Sequence, residues 1–123
     1  MTTQTQRHPF LDDLADDVVL TSSVLRRQVQ GRDAVLKVVK AGASQYAKQT
    51  PTFLGDVGER TYFEYAVTLH DGLQGSGLVS IRRDAQRKVI SLEIAFSPLD
   101  VVLSVAAGAR EQLAGEFDAG LFL

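Results

Sequence analysis

The sequence predicts an α+β domain organised around an antiparallel sheet. Three strand-like runs, 60–70, 73–83 and 88–96, follow one another between short turns. Val35, Val38, Val39, Gly42 and Tyr46 recur at helical spacing, which predicts a helix over 32–47 that faces the sheet. A second helix is predicted after Ser97-Pro98, with Ser97 as N-cap, Pro98 at the first position and Asp100 as a capping acid.

The length of 123 residues suits one domain with its own core. The expected limits are a disordered polar start at 1–7, a single domain over 8–115 and a C-terminal tail at 116–123. Phe117, Leu121, Phe122 and Leu123 give that tail apolar residues to dock on the body or on a partner chain, with disorder as the alternative. The net charge of −2 offers no general attraction to nucleic acid or acidic membranes. The Arg82-Arg83 and Arg87-Lys88 cluster reads as a solvated turn. Cysteine is absent, which excludes thiol chemistry, and two distant histidines argue against a structural zinc site. Neither a metal nor a cofactor is expected. No apolar run approaches the roughly 20 residues of a membrane span. Residues 1–7 have no hydrophobic centre, so no signal peptide is expected and the protein is placed in the cytoplasm.

Taken in order, His8 to Ala15 read as a short helix with Pro9 at its first position and an apolar stripe of Phe10, Leu11 and Leu14. Asp16-Asp17 face the negative dipole end and stop it. A strand then starts at Val18, and a shorter one is expected within 25–30. Gly31-Arg32-Asp33 opens the central helix, and Gly42 marks a close approach to a neighbour. Thr50-Pro51 ends that helix, and a strand begins at Thr52 and fades by Gly58. The last helix, carrying Leu99, Val101, Val102, Leu103, Val105 and Ala106, is apolar nearly all round and should be buried on more than one side.

Asp71-Gly72 is a strong two-residue hairpin signal. A turn of that length sets Glu64 opposite Val79 and Tyr65 opposite Leu78. One face then carries Tyr62, Glu64, Ala66 and Thr68 with Gly75, Gly77, Val79 and Ile81. The other carries Phe63, Tyr65, Val67 and Leu69 with Ser76, Leu78, Ser80 and Arg82.

His-Pro-Phe-Leu-Asp-Asp-Leu-Ala-Asp-Asp-Val-Val-Leu (8–20), Gln-Gly-Arg-Asp-Ala-Val (30–35) and Lys-Val-Ile-Ser-Leu-Glu-Ile-Ala-Phe-Ser-Pro-Leu (88–99), in this order and spacing, resemble the SnoaL-like branch of the nuclear transport factor 2-like superfamily. The resemblance implies a cone: a strongly curved antiparallel sheet wrapped around helices, with a ligand pocket in its mouth and frequent homodimers. It implies no single activity, because isomerases, cyclases, hydrolases and non-catalytic carriers share that fold. Ketosteroid isomerase, a relative of this kind, needs an Asp base, a Tyr and a protonated Asp. The alignment puts Ser22 at the base and Val79 at the oxyanion acid, and the N-terminal helix contains no Tyr. That chemistry is therefore not expected. The alignment also places Leu92, Ile94 and Phe96 on the pocket wall beside Val79, in a register pairing 79 with 92.

The expected pocket is Leu14, Ser22, Val35, Val38, Tyr46, Tyr62, Glu64, Ala66, Val79, Ile81, Leu92, Ile94 and Phe96. Glu64 is the candidate acid or base, since an apolar wall would raise its pKa; wet or paired with Arg60 or Arg26, it would have no such role. Tyr46 and Tyr62 are candidate hydrogen-bond donors to a carbonyl, and Ser22 a donor replacing the lost acid. Glu93 would join them only if the second hairpin slipped by one residue. The opposite face, Phe63, Tyr65, Val67, Leu69 and Leu78, would be an apolar patch suited to a two-fold homodimer; the alternative is that these residues are the core and the faces are inverted. Three functions follow: a dimeric domain binding a small apolar ligand, an isomerase, cyclase or hydrolase using Glu64 with Tyr46 or Tyr62, and an interaction module whose pocket is self-filled.

Overall fold

The computed structural model describes His8 and residues 10–123; the expected disordered start and the role given to Pro9 lie outside the described residues. Six strands form one sheet: β1 (Leu14–Ser22), β2 (Val29–Gln30), β3 (Tyr46–Val57), β4 (Arg60–Leu69), β5 (Gln74–Arg83) and β6 (Val89–Ser97). Two helices, α1 (Arg32–Ala43) and α2 (Leu99–Gln112), pack against it and each other. The sheet order is β2-β1-β6-β5-β4-β3, with β1 and β6 parallel and the other neighbours antiparallel. This is the α+β architecture expected from the alternation of strand and helix patterns.

The N-terminal helix expected over 8–15 is instead a single 3-10 turn, Leu11–Asp13, after which β1 begins at Leu14. A stripe of three apolar residues over one turn is too short to separate these outcomes. Pairing decides it: Leu14 joins Val89, and a register shift before Val19 absorbs the exposed Asp16 and Asp17. The short second strand narrows to Val29–Gln30.

α1 ends at Ala43, earlier than the apolar spacing suggested. The Ser44 N–H closes the helix on the Lys40 carbonyl and the Gln45 N–H on that of Gly42, and Tyr46 pairs with Leu69 as the first residue of β3. Pro51 sits inside β3 rather than ahead of it. A proline is tolerated there because β3 is an edge strand with one neighbour, and the ladder is irregular on both sides of it.

The β4–β5 hairpin differs from expectation by one residue. Leu69 faces Leu73, its N–H bonded to the Leu73 carbonyl at 2.8 Å, so the loop is three residues, His70 to Gly72. Gly72 takes φ +91° and completes a type I turn closed by a bulge. Phe63 therefore faces Val79 and Tyr65 faces Gly77. This inverts the expected faces of β4: Phe63, Tyr65, Val67 and Leu69 point into the core, while Tyr62, Glu64, Ala66 and Thr68 point outward. In the next hairpin Val79 faces Ile94 rather than Leu92. A shift of two residues leaves the faces unchanged, so Val79, Ile81, Leu92 and Ile94 are buried as expected.

α2 starts at Leu99, with Pro98 at the cap position and Ser97 still in β6, so Ser97 is not its N-cap. The Asp100 carboxylate accepts a hydrogen bond from the Val101 N–H. Val101, Val102, Val105, Ala106 and Ala109 are buried, with Val105 against Gly42 of α1. Leu99 (66% exposed) and Leu103 (48%) are not, so the helix buries one broad face rather than its whole girth. The C-terminal segment is part of the body: Leu121 and Phe122 are buried, and the Leu123 N–H bonds to the Val24 carbonyl at 2.9 Å.

Candidate functional site

The inner face of the sheet and both helices leave a cavity of about 90 Å³ at the mouth of the fold. Leu20 and Ser22 of β1 and the following Val24 form one wall; Phe63 and Tyr65 of β4 with Ile94 and Phe96 of β6 form the floor. Val38, Val39, Lys40 and Gly42 of α1 with Val105 and Ala109 of α2 close the helical side. His8, Phe10 and Leu11 fill part of the opening, where Tyr46 and Gln49 of β3 complete the rim. The volume holds about three water molecules, less than the roughly 150 Å³ that holds a benzene ring.

Two phenols meet inside it. Tyr46 and Tyr65 share a hydrogen bond of 2.8 Å between their hydroxyls, with either oxygen as donor. Phe63 and Phe96 pack around them at centroid separations of 5.3 Å from Tyr65 and 6.2 Å from Tyr46. Burial pushes the Tyr46 pKa far above the usual phenol range, with the neighbouring Tyr65 adding to it. Burial raises Tyr65 as well, partly offset by its hydrogen bond with Tyr46. Since one hydroxyl donates to the other, one phenol proton remains for a bound acceptor.

The rim is held by His8. Its Nδ1 accepts the backbone N–H groups of Phe10 (3.3 Å) and Leu11 (3.2 Å), which keeps that nitrogen bare and places the proton of the neutral ring on Nε2. Burial lowers its pKa, and the Asp12 carboxylate partly offsets this.

Of the residues expected in the pocket, Ser22, Val38, Tyr46, Ile94 and Phe96 line the cavity. Leu14, Val35, Val79, Ile81 and Leu92 are buried in the core behind it. Tyr62, Glu64 and Ala66 stand on the outer face, a consequence of the three-residue turn. Glu64 is exposed and accepts a hydrogen bond from Thr52 Oγ1 at 3.1 Å. Of the five residues expected at a dimer interface, Phe63 and Tyr65 line the cavity, Val67 and Leu69 are buried, and Leu78 alone lies exposed outside. Tyr65, Lys40, Gln49 and His8 line the cavity outside the set that the sequence pattern picks out. The stronger apolar alternation of Phe63, Tyr65, Val67 and Leu69 was the available signal for Tyr65. Among the described residues no Asp or Glu lines the cavity, and no group of acids and histidines could hold a metal ion.

The architecture has counterparts among solved structures. An uncharacterised protein with a cystatin-like fold from Silicibacter pomeroyi superposes with a TM-score of 0.79 at 16% identity, over 86% of this chain and 74% of that one. A steroid delta-isomerase from Pseudomonas aeruginosa gives 0.77 at 15% identity, over 85% and 77%. A nuclear transport factor 2-like protein from Mesorhizobium loti gives 0.62 at 16%, over 73% and 76%. The chain has the nuclear transport factor 2-like cone fold. No family model and no curated protein matches the sequence. Within this cone the mouth carries phenols, a lysine and a histidine, with no carboxylate among the described residues. Among those residues no helix is long and apolar enough to cross a membrane.

Proposed function

We propose that this cone is a binding domain for a small, largely apolar molecule bearing one hydrogen-bond acceptor, with the Tyr46–Tyr65 pair as the recognition group. The observation that carries this is the pair itself: two phenols at 2.8 Å in an apolar wall, with one proton left to donate. The second proton of the pair faces apolar surroundings, so an acceptor that reaches it gains about 1 kcal/mol over a purely apolar occupant. Among the described residues no carboxylate lines the cavity to serve as a base. Glu64 is outside, the family resemblance puts Ser22 and Val79 at the positions of an isomerase's acids, and the bare nitrogen of His8 is engaged by two backbone donors.

The test is a titration of the whole chain with butanone and isobutyramide, followed by amide and aromatic NMR shifts. Shifts centred on Ser22, Tyr46, Tyr65 and Phe96, weakened in Tyr65→Phe, are expected. No shift in these residues at millimolar probe would sink the reading.

A second reading concerns assembly. Phe53, Glu64, Leu78 and Ala95 form one row across the outer face, and Phe53 (51%) and Leu78 (41%) are exposed. Exposed apolar side chains on either side of Glu64 support a two-fold homodimer packed sheet on sheet. Sedimentation should then give twice 13.4 kDa, and Leu78→Lys should return a monomer. A wild-type monomer at micromolar concentration would rule this out.

A further inference from the structure

We infer that the ligand of this cavity is a short-chain carboxylate, its apolar body against Phe63, Ile94 and Val105 and its anion at the rim beside Lys40 and Tyr46. This inference rests on the binding role proposed above and names the chemical class.

Charge is the first argument. Lys40 is the one lysine or arginine in the cavity wall among the described residues, and no carboxylate there balances it. The other cations of α1 are already matched: Arg32 to Asp16 at 2.6 Å and Lys37 to Glu116 at 2.8 Å. Among the described residues Lys40 makes no ion pair. A cation at an apolar cavity with no acid in its wall attracts an anion, and a carboxylate is the small anion that can also carry an apolar body.

Hydrogen-bond polarity gives the second argument. The Ser22 oxygen accepts the Val24 N–H at 3.3 Å, so its proton is the part left free. The His8 Nδ1 is used by two backbone donors, so the ring offers N–H from Nε2. The tyrosine pair has one proton to give. His8, Ser22 and the tyrosine pair each offer the cavity a donor, and the Gln49 amide can turn its NH2 toward it, which suits an acceptor-only group such as an ionised carboxylate. Lys40 lies in the last turn of α1, where the helix dipole disfavours an anion. That penalty is reduced here, because the carbonyls of Lys40, Ala41 and Gly42 are already bonded to Ser44 and Gln45.

Size completes the assignment. A cavity of about 90 Å³ takes an apolar body smaller than benzene, so branched acids of a few carbons fit and a steroid does not.

Isobutyrate and its neutral isostere isobutyramide separate charge from shape. Both are titrated into the full chain at neutral pH and low salt, with NMR shifts as readout, in wild type, Lys40→Gln and Lys40→Arg. Lys40 is exposed, so far-UV circular dichroism should show both variants folded. Isobutyrate should bind about fivefold more tightly than isobutyramide in wild type, the yield of a surface ion pair. Lys40→Gln should abolish the difference and Lys40→Arg should keep it. Equal affinities in wild type, or a preference that survives in Lys40→Gln, would overturn the carboxylate assignment while leaving the binding role in place. Binding of neither probe would overturn both.

Discussion

Tyr65 stands directly across the β4–β5 ladder from Gly77, and a Cβ at 77 would fall on the tyrosine ring. The missing side chain lets the ring lie over β5 and brings its hydroxyl to Tyr46. Gly77→Ala should therefore displace the ring and strain the floor of the cavity. Overpacking of this kind costs about 1–3 kcal/mol, readable as a lower urea midpoint at unchanged m-value. An alanine variant of wild-type stability would show that the ring is not held in this way.

The two phenols should be energetically coupled. Tyr46→Phe and Tyr65→Phe each remove one partner of a part-buried hydrogen bond, worth about 1 kcal/mol net. Once one hydroxyl is gone, removing the second should cost less. A double-mutant cycle should give a coupling of about 0.5–1.5 kcal/mol, and simple additivity would show that the hydroxyls do not interact.

The same pair predicts an alkaline limit. Both phenols keep their protons in the fold above the value near 10 at which an unfolded tyrosine ionises. The unfolded state therefore binds fewer protons than the folded state once the pH passes about 10, and stability falls as pH rises from there. Below 10 both states are protonated and the pair adds no pH dependence. In a Tyr62→Phe background, tyrosinate absorbance should appear together with loss of near-UV circular dichroism. Ionisation near pH 10 with the fold intact would contradict the burial.

The hairpin shows what was legible in the residues and what was not. Strands β4, β5 and β6 were readable from alternation, and Val79, Ile81, Leu92 and Ile94 fell on the correct face because the error in their pairing was an even number of residues. Phe63 and Tyr65 were misplaced by one residue, because Asp-Gly suits a two-residue turn and also the end of a three-residue one. The longer turn is favoured here by contacts that the dipeptide does not reveal: Asp71 accepts the Leu73 N–H at 3.0 Å and also the Ser104 hydroxyl from α2. Helical spacing assigns Tyr46 to the cavity from the wrong element. Tyr46 reaches the cavity from the first position of β3, not from α1, since helix spacing and strand pairing competed for it. His8 and Lys40 carried no local signal, because the cavity is assembled by elements far apart in the chain.

Glu64 provides a control. It is exposed on the outer face, with Thr52 as its hydrogen-bond partner. Glu64→Gln should change stability by no more than about 0.5 kcal/mol and leave probe binding at the cavity untouched. A loss of binding in this variant would return Glu64 to the site and revive an acid–base role.

The C-terminal segment supports the wall from behind. Phe122 is buried and bridges Leu25, while the Arg26 N–H bonds to the Leu121 carbonyl at 2.8 Å and the Leu123 N–H to the Val24 carbonyl. Val24 itself lines the cavity, so the segment positions part of the site. Phe122→Ala should cost about 3–5 kcal/mol, as large-to-small changes at buried aromatics do. Phe122→Leu should recover most of that, since it refills much of the volume. A cost below about 1 kcal/mol for the alanine variant in urea denaturation would mean that the segment is not part of the cooperative fold.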